Sequence, residues 1–373
     1  MYFEKIRSRF LQKFRLGSFT QPFVPSSALD SSVELKEEKG QTPLLAIKIR
    51  GSIHSSVDLP RTSVQITAAD ITDGTENPLP VRGSSKQWQL PDSLRFCFVT
   101  ELGTLPASIT TLADWTTIAQ IDPLWLQLPR SGKRTLQFSI SISGFDNPVE
   151  VASSDCVFIY DSPSPGFIDL HENIERSKIL TVTLAFTVSG ADGSLSGCEI
   201  EMIKKWARRN IDPVDDSDKA KKQIERALNK TISLLRSGNT VNAEKVCLEI
   251  AKIASPALRS DTLEFCLQLA RSGGTVSRTK LSLLKNIAGW LEVDKNIVIT
   301  LVQKILTPDI CEVQDEQFFL GVRPDMDSEE TRLLLNEQYK KWSSRVTNFD
   351  PQIRRQAAGM LRFIAQTRNL LVK

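Results

Sequence analysis

Histidine is nearly absent from this chain: there are two in 373 residues, His54 and His171. Neither lies near any of the six cysteines (Cys97, Cys156, Cys198, Cys247, Cys266 and Cys311), and no two cysteines are close enough to form a CxxC pair. Such spacing yields no zinc ligand set and removes the residues most acid–base schemes use. A phosphate-binding P-loop, a GxSxG elbow, an HExxH helix and a dinucleotide glycine fingerprint are also missing. An enzyme is therefore not expected; a site built of carboxylates alone is the enzymatic reading left open. No sign of charge dominates. With 47 basic and 44 acidic residues the net charge is +3, so nucleic acid is not indicated as a partner. No apolar run approaches the roughly 18 residues of a membrane span, and residues 1–23 lack the continuous apolar core of a signal peptide. The expected location is cytoplasmic. The cysteines then read as small buried apolar residues in a reducing compartment, with disulfides between distant ones left open.

What is present suits two or three ordinary domains: 40% hydrophobic and 24% charged residues. Residues 1–41 read as an amphipathic segment followed by a linker. Phe3, Ile6, Phe10 and Phe14 fall near one helical face, with Lys5, Arg7, Arg9, Lys13 and Arg15 around it. That pattern suits peripheral contact with a membrane surface or a partner, and equally a helix packed on its own domain. Over residues 42–161 the apolar period becomes two: Leu45, Ile47 and Ile49; Val64 and Ile66; Leu94, Phe96 and Phe98; Leu136, Phe138, Ile140 and Ile142. Turn signals at Asp73-Gly74, Gly83-Ser84-Ser85 and Ser131-Gly132 separate these runs. Short strands with polar outer faces predict an antiparallel β-sandwich, with Trp88, Trp115 and Trp125 in its core or rim.

Ser162-Pro163-Ser164-Pro165-Gly166 breaks the pattern, and the helical period follows. Over residues 167–312 helices are expected at 174–189, 196–210, 218–236, 241–254, 260–271, 277–291 and 295–306, close enough together to form a compact bundle. Two stretches of this bundle look alike. Ala191-Asp192-Gly193-Ser194-Leu195-Ser196-Gly197-Cys198-Glu199 and Ser272-Gly273-Gly274-Thr275-Val276-Ser277-Arg278-Thr279-Lys280 both read as glycine turn, serine, helix, and they lie 81 residues apart. The match predicts a pseudo-symmetric bundle.

A helix ending in Ala191-Asp192-Gly193, a short apolar-containing loop and Glu199 in the first turn of the next helix resemble the TerB family, over about residues 174–306. The resemblance implies an all-helical bundle of tellurite-resistance and stress proteins. It also implies an acidic cluster for a divalent metal, at the matching positions Asp192 and Glu199. Ca²⁺ would be the candidate ligand, since hard cations take oxygen donors; no other cofactor is implied. The same residues have a purely structural reading, because Ser196 to Glu199 spells a capping box. The second repeat departs from the acidic pattern, with Gly273 in place of Asp192 and Lys280 in place of Glu199.

Residues 313–373 resemble a degenerate J-domain. Phe318-Phe319-Leu320-Gly321-Val322 is similar to its leading turn, Tyr339-Lys340-Lys341-Trp342 to its second helix, and Asp350-Pro351 opens the next helix. The His-Pro-Asp loop of a working J-domain is replaced by Thr347-Asn348-Phe349, so activation of an Hsp70 partner is not expected. Lys340, Lys341 and Arg345 remain candidates for a protein-docking face, against the alternative that they are solvated surface charges. The whole reads as an α+β multidomain protein: β-sandwich, TerB-like bundle and J-like hairpin. The function it implies is a non-enzymatic interaction or scaffold protein of a bacterial stress-response or phage-defence complex, binding protein partners. The alternative is a metal-binding stress sensor held at a membrane by its N-terminal helix.

Overall fold

The computed structural model describes residues 28–37, 40, 42–146, 149–193, 195–210, 222, 226 and 241–371. Phe3, Ile6, Phe10 and Phe14 lie outside the described residues, as does nearly all of the helix expected at 218–236. The chain divides into two compact units, residues 1–171 and 172–373.

Among the described residues, the first unit is all β apart from short 3₁₀ turns and the start of one helix. Its described strands are β1 (Leu29–Lys36), β2 (Leu44–His54), β3 (Leu59–Asp70), β4 (Leu79–Pro80), β5 (Arg82–Gly83), β6 (Cys97–Leu105), β7 (Ile109–Ile121), β8 (Leu126–Gln127), β9 (Gly132–Gly144) and β10 (Glu150–Ser162). One large sheet runs β1-β2-β7; the second runs β10-β9-β3-β4, with β6 also paired to β3; β5 and β8 form a small two-stranded sheet. All pairings are antiparallel, and Val64 faces Ile142 while Ile66 faces Ile140. The predicted inward residues Leu45, Ile47, Ile49, Val64, Ile66, Phe138 and Ile140 form one buried cluster drawn from both sheets. Each such side chain contributes about 1.5–3 kcal/mol on burial, and a register slip by one residue would turn the whole set outward.

Three expectations for this unit need correction. Residues 29–36, expected as linker, form the edge strand β1, whose outer face is polar and so carries little alternation. Leu94 is half exposed and precedes the strand, because Asp92 adopts a left-handed turn with φ 57° just before it. Trp88 and Trp125 do stack at 4.0 Å with Phe98 beside them, whereas Trp115 lies outside, exposed beneath the Arg50 guanidinium at 4.7 Å. At one end of the sandwich Arg134 and Asp70 form a buried ion pair at 2.7 Å.

The second unit is helical. Its elements are α1 (Phe167–Ser189, of which residues 172–189 belong here), α2 (Gly197–Asn210), α3 (Ala243–Ile253), α4 (Pro256–Ser272), α5 (Arg278–Trp290), α6 (Lys295–Ile305), α7 (Glu316–Leu320), α8 (Ser328–Ser343) and α9 (Pro351–Leu371). Local chemistry sets these boundaries. Asn242, Ser255, Ser277, Asp294 and Asp327 each cap a helix by accepting from backbone N–H groups. Pro256 and Pro351 occupy first-turn positions, where no N–H is needed. Gly321 ends α7 at φ 79°. The C-terminal helices do not form a core of their own. Trp342, Met360, Phe363 and Ile364 join Leu263, Leu284, Val302 and Phe319 in one continuous buried cluster. Among the described residues no helix is long and apolar enough to cross a membrane.

Candidate functional site

The acidic candidates sit where α1 ends and α2 begins. α1 tightens into a 3₁₀ turn over Gly190–Asp192, and Gly193, at φ 80°, closes it by donating its N–H to Gly190 at 3.0 Å. A residue with a side chain would be strained at that φ. Ser196 then starts α2 through a reciprocal capping box. Its hydroxyl accepts from the Glu199 N–H at 3.2 Å, while the Glu199 carboxylate accepts from the Ser196 N–H and hydroxyl, each at 3.0 Å. The structural reading of this motif therefore holds in full.

The carboxylates do more than cap. Lys280, in the first turn of α5, reaches Asp192 at 2.9 Å and Glu199 at 3.0 Å. Glu199 is 1% exposed and Lys280 3%. Burial alone would pull the lysine pKa down. The hydrogen bonds and charges of Asp192 and Glu199 outweigh that and hold its ammonium above the ordinary lysine range. The arrangement is a buried cation with two anionic partners, and the Glu199 carboxylate spends its other oxygen on the cap.

This geometry bears directly on a divalent metal. Asp192 and Glu199 converge, as a metal cradle would require, but the point on which they converge holds the Lys280 ammonium. A metal ion there would have to expel a buried positive charge and would find two protein carboxylates, against the six to eight oxygen ligands Ca²⁺ takes. Among the described residues no group of three or more His, Cys, Asp and Glu is placed to hold a metal. The side chains present fit an internal ammonium and not a divalent ion. The sequence already held the clue, since Lys280 stands where the first repeat has Glu199. What it did not show is that the two equivalent positions touch.

The basic candidates form a second feature of the helical unit. Lys341 and Arg345, on and just after α8, line a cavity of about 940 Å³ with Arg271, Lys304 and Arg355. Lys340 is not among its lining residues. Lys341 donates to the Gln303 side chain at 2.7 Å, and Arg345 lies over the Trp342 ring at 4.8 Å. Among the described residues, neither Lys341 nor Arg345 has a carboxylate partner, while Lys304 pairs with Glu264 at 2.8 Å. Burial, then the neighbouring Arg345 charge, lowers the Lys341 pKa. Phe349, in the loop between α8 and α9, is 99% exposed beside this cavity's Asn348 and Asp350. Arg271, Lys304 and Arg355 come from three different helices, so linear spacing gave no sign of the grouping.

The site's helices can now be compared with known families. Residues 178–302 match the family described as "Tellurite resistance protein TerB". These residues form a TerB domain. It begins within α1, takes in the Asp192–Glu199–Lys280 triad and ends within α6; the β-sandwich and the C-terminal helices lie outside the match. No curated protein matches the chain. Among solved structures, a β-glucuronidase of Bacteroides uniformis is 11% identical, covering 84% of this chain and 31% of that one, at a TM-score of 0.19. The chain thus spans about a third of that protein's length, and a score so low carries no argument about fold or activity.

Proposed function

We propose that this protein is a non-enzymatic interaction or scaffold component of a bacterial stress-response complex of the tellurite-resistance type, or of a phage-defence complex, acting in the cytoplasm by docking acidic protein partners. The TerB domain supports the broad family setting. The observation that carries the docking reading is the basic cavity in which Lys341 and Arg345 sit without a carboxylate partner among the described residues. Asp309 and Asp350 also line the cavity, but Lys341 and Arg345, close together with no carboxylate paired to either among the described residues, complement an anionic surface. A bound carboxylate would offset both the burial and the neighbouring Arg345 charge that lower the Lys341 pKa. Phe349 adds an exposed aromatic at the cavity's edge, and an aromatic beside arginine is the composition of an interface hot spot.

The test is fluorescence anisotropy of the full chain with a labelled glutamate-rich peptide. Binding should weaken as salt rises and should fall at least about tenfold in a Lys341→Glu/Arg345→Glu variant, through loss of two close charge pairs. A lysine-rich peptide of equal length should not bind. Equal binding of the acidic peptide by wild type and variant would remove this surface from the account.

A further inference from the structure

The two repeats of the TerB domain meet each other at equivalent positions. Thr181 and Thr262, 81 residues apart, share a buried hydrogen bond at 2.9 Å. Glu199 and Lys280, also 81 apart, share the buried ion pair. Position i can touch its own counterpart in the other repeat only near a local pseudo-twofold axis, as residues do across a twofold dimer interface. The caps obey the same relation. Ser196 accepts from the Glu199 N–H and Ser277 from the Lys280 N–H, both at 3.2 Å. Gly193 and Gly274 are both left-handed, at φ 80° and 92°.

This symmetry brings a fourth position to the same point. Gly273 is the counterpart of Asp192. A Cβ added to it would lie 3.3 Å from the Glu199 Oε1 and 3.8 Å from the Lys280 Nζ. Positions 192, 199, 273 and 280 therefore converge on one centre, and the chain fills them with Asp, Glu, Gly and Lys. Acids at all four would gather carboxylate oxygens about one point, the donor set a hard divalent cation takes. Here one carboxylate is deleted and another exchanged for an ammonium. The remaining two carboxylates have their cation supplied covalently.

We propose that Lys280 is a built-in replacement for a divalent cation at this pseudo-twofold centre, and that the centre is a latent metal site which two substitutions, Gly273→Asp and Lys280→Glu, would open. The helical unit then holds this junction together without metal, and the ammonium cannot be removed by chelation or exchanged by competing ions. The inference stands apart from the docking reading and shares no residue with it.

The experiment is calorimetric titration of the full-length protein with Ca²⁺, alongside thermal unfolding with and without Ca²⁺. The wild type should give no binding heat and no Tm shift. The Gly273→Asp/Lys280→Glu variant should be less stable than wild type without Ca²⁺, because four carboxylates repel. It should bind one Ca²⁺ with measurable heat where the wild type gives none, since affinity follows ligand number and charge, and its Tm should rise on binding. Lys280→Glu alone, with three carboxylates, should show a weaker form of the same gain. Ca²⁺ binding by the wild type that is lost on Asp192→Asn would overturn the proposal. So would a folded double variant that binds no better than wild type, or variants that stay unfolded in excess Ca²⁺.

Discussion

Replacing Lys280 with methionine isolates what its charge does. Methionine keeps most of the aliphatic stem in place, so the packing of α5 against its neighbours changes little while the ammonium is lost. What remains is Glu199, 1% exposed, with its capping donors from Ser196 but without a counter-ion. Asp192 is 24% exposed and partly solvated, so it adds little to the cost. Removing one partner of a buried ion pair typically costs about 3–5 kcal/mol, because the other charge stays buried and uncompensated. With two separate units, a melt can show a Tm shift but does not yield the free energy of one junction, so the magnitude is read by hydrogen exchange of the amides in α2 and α5, which carry the two partners. At a factor of ten per ~1.4 kcal/mol, exchange there should quicken by roughly a hundredfold to a few thousandfold. Glu199→Gln should cost less, since the amide oxygen still accepts from Ser196 or Lys280. The double variant should be more stable than the sum of the two losses predicts, by roughly 1–3 kcal/mol of coupling. The effect should persist in high salt, as buried pairs are poorly screened. A Lys280→Met cost below about 1 kcal/mol, the range of exposed pairs, or strictly additive losses, would show that the buried pair described here does not carry this junction.

Other consequences follow from the same packing. Gly193→Ala and Gly274→Ala should each cost about 1 kcal/mol in protection of the adjacent helices, and by similar amounts. Both residues are left-handed, and an added Cβ meets nothing within 4 Å at either; a large difference between the two would break the repeat symmetry. Alkylation near pH 8 should modify the exposed Cys198 first, as read by peptide mass. Burial pushes the thiols of Cys247 and Cys311 up to about 12 and that of Cys266 higher still, so these should react only on unfolding. In the sandwich, Arg134→Met should destabilise the β unit by about 3–5 kcal/mol, because it strands the fully buried Asp70; exchange in β3 and β9 reads this directly. An ATPase assay with an Hsp70 should show no stimulation by this chain, whose loop reads Thr347-Asn348-Phe349.

The strands and helices legible in the sequence are those whose periodicity reports a buried face. Leu136, Phe138, Ile140 and Ile142 alternate because β9 has a neighbouring strand on each side and one face on the core. β1 was hidden because an edge strand buries little, and Leu29–Lys36 consequently reads as mixed polar chain. The helix starts at Ser196 and Ser277 were legible because each cap is local, spanning three residues. The contacts that define the candidate site are not local. The capping box of Glu199 could be read from its neighbours, but its pairing with Lys280 depends on the fold returning 81 residues later to the same point. The repeat alone did not contain that information, since two copies of one motif can stack side by side as well as pack about a common axis. Periodicity does not say where the axis runs. The grouping of Arg271, Lys304 and Arg355 with Lys341 and Arg345 likewise belongs to tertiary packing and to no single segment.

The claim that an ammonium occupies the centre of the TerB domain can be tested on the ammonium itself. Nitrogen-detected NMR of lysine NH₃⁺ groups, assigned by loss of one signal in Lys280→Met, observes Lys280 directly. A folded-state pKa held above the unfolded value means that the stability it brings is complete below the ordinary lysine pKa of 10.5 and is lost as pH rises from there through the raised value. The account predicts a slowly exchanging Lys280 signal at neutral pH that titrates above 10.5 and does not move when Ca²⁺ is added. A Lys280 signal that titrates below 10.5, or that shifts and exchanges faster as Ca²⁺ binds, would contradict it.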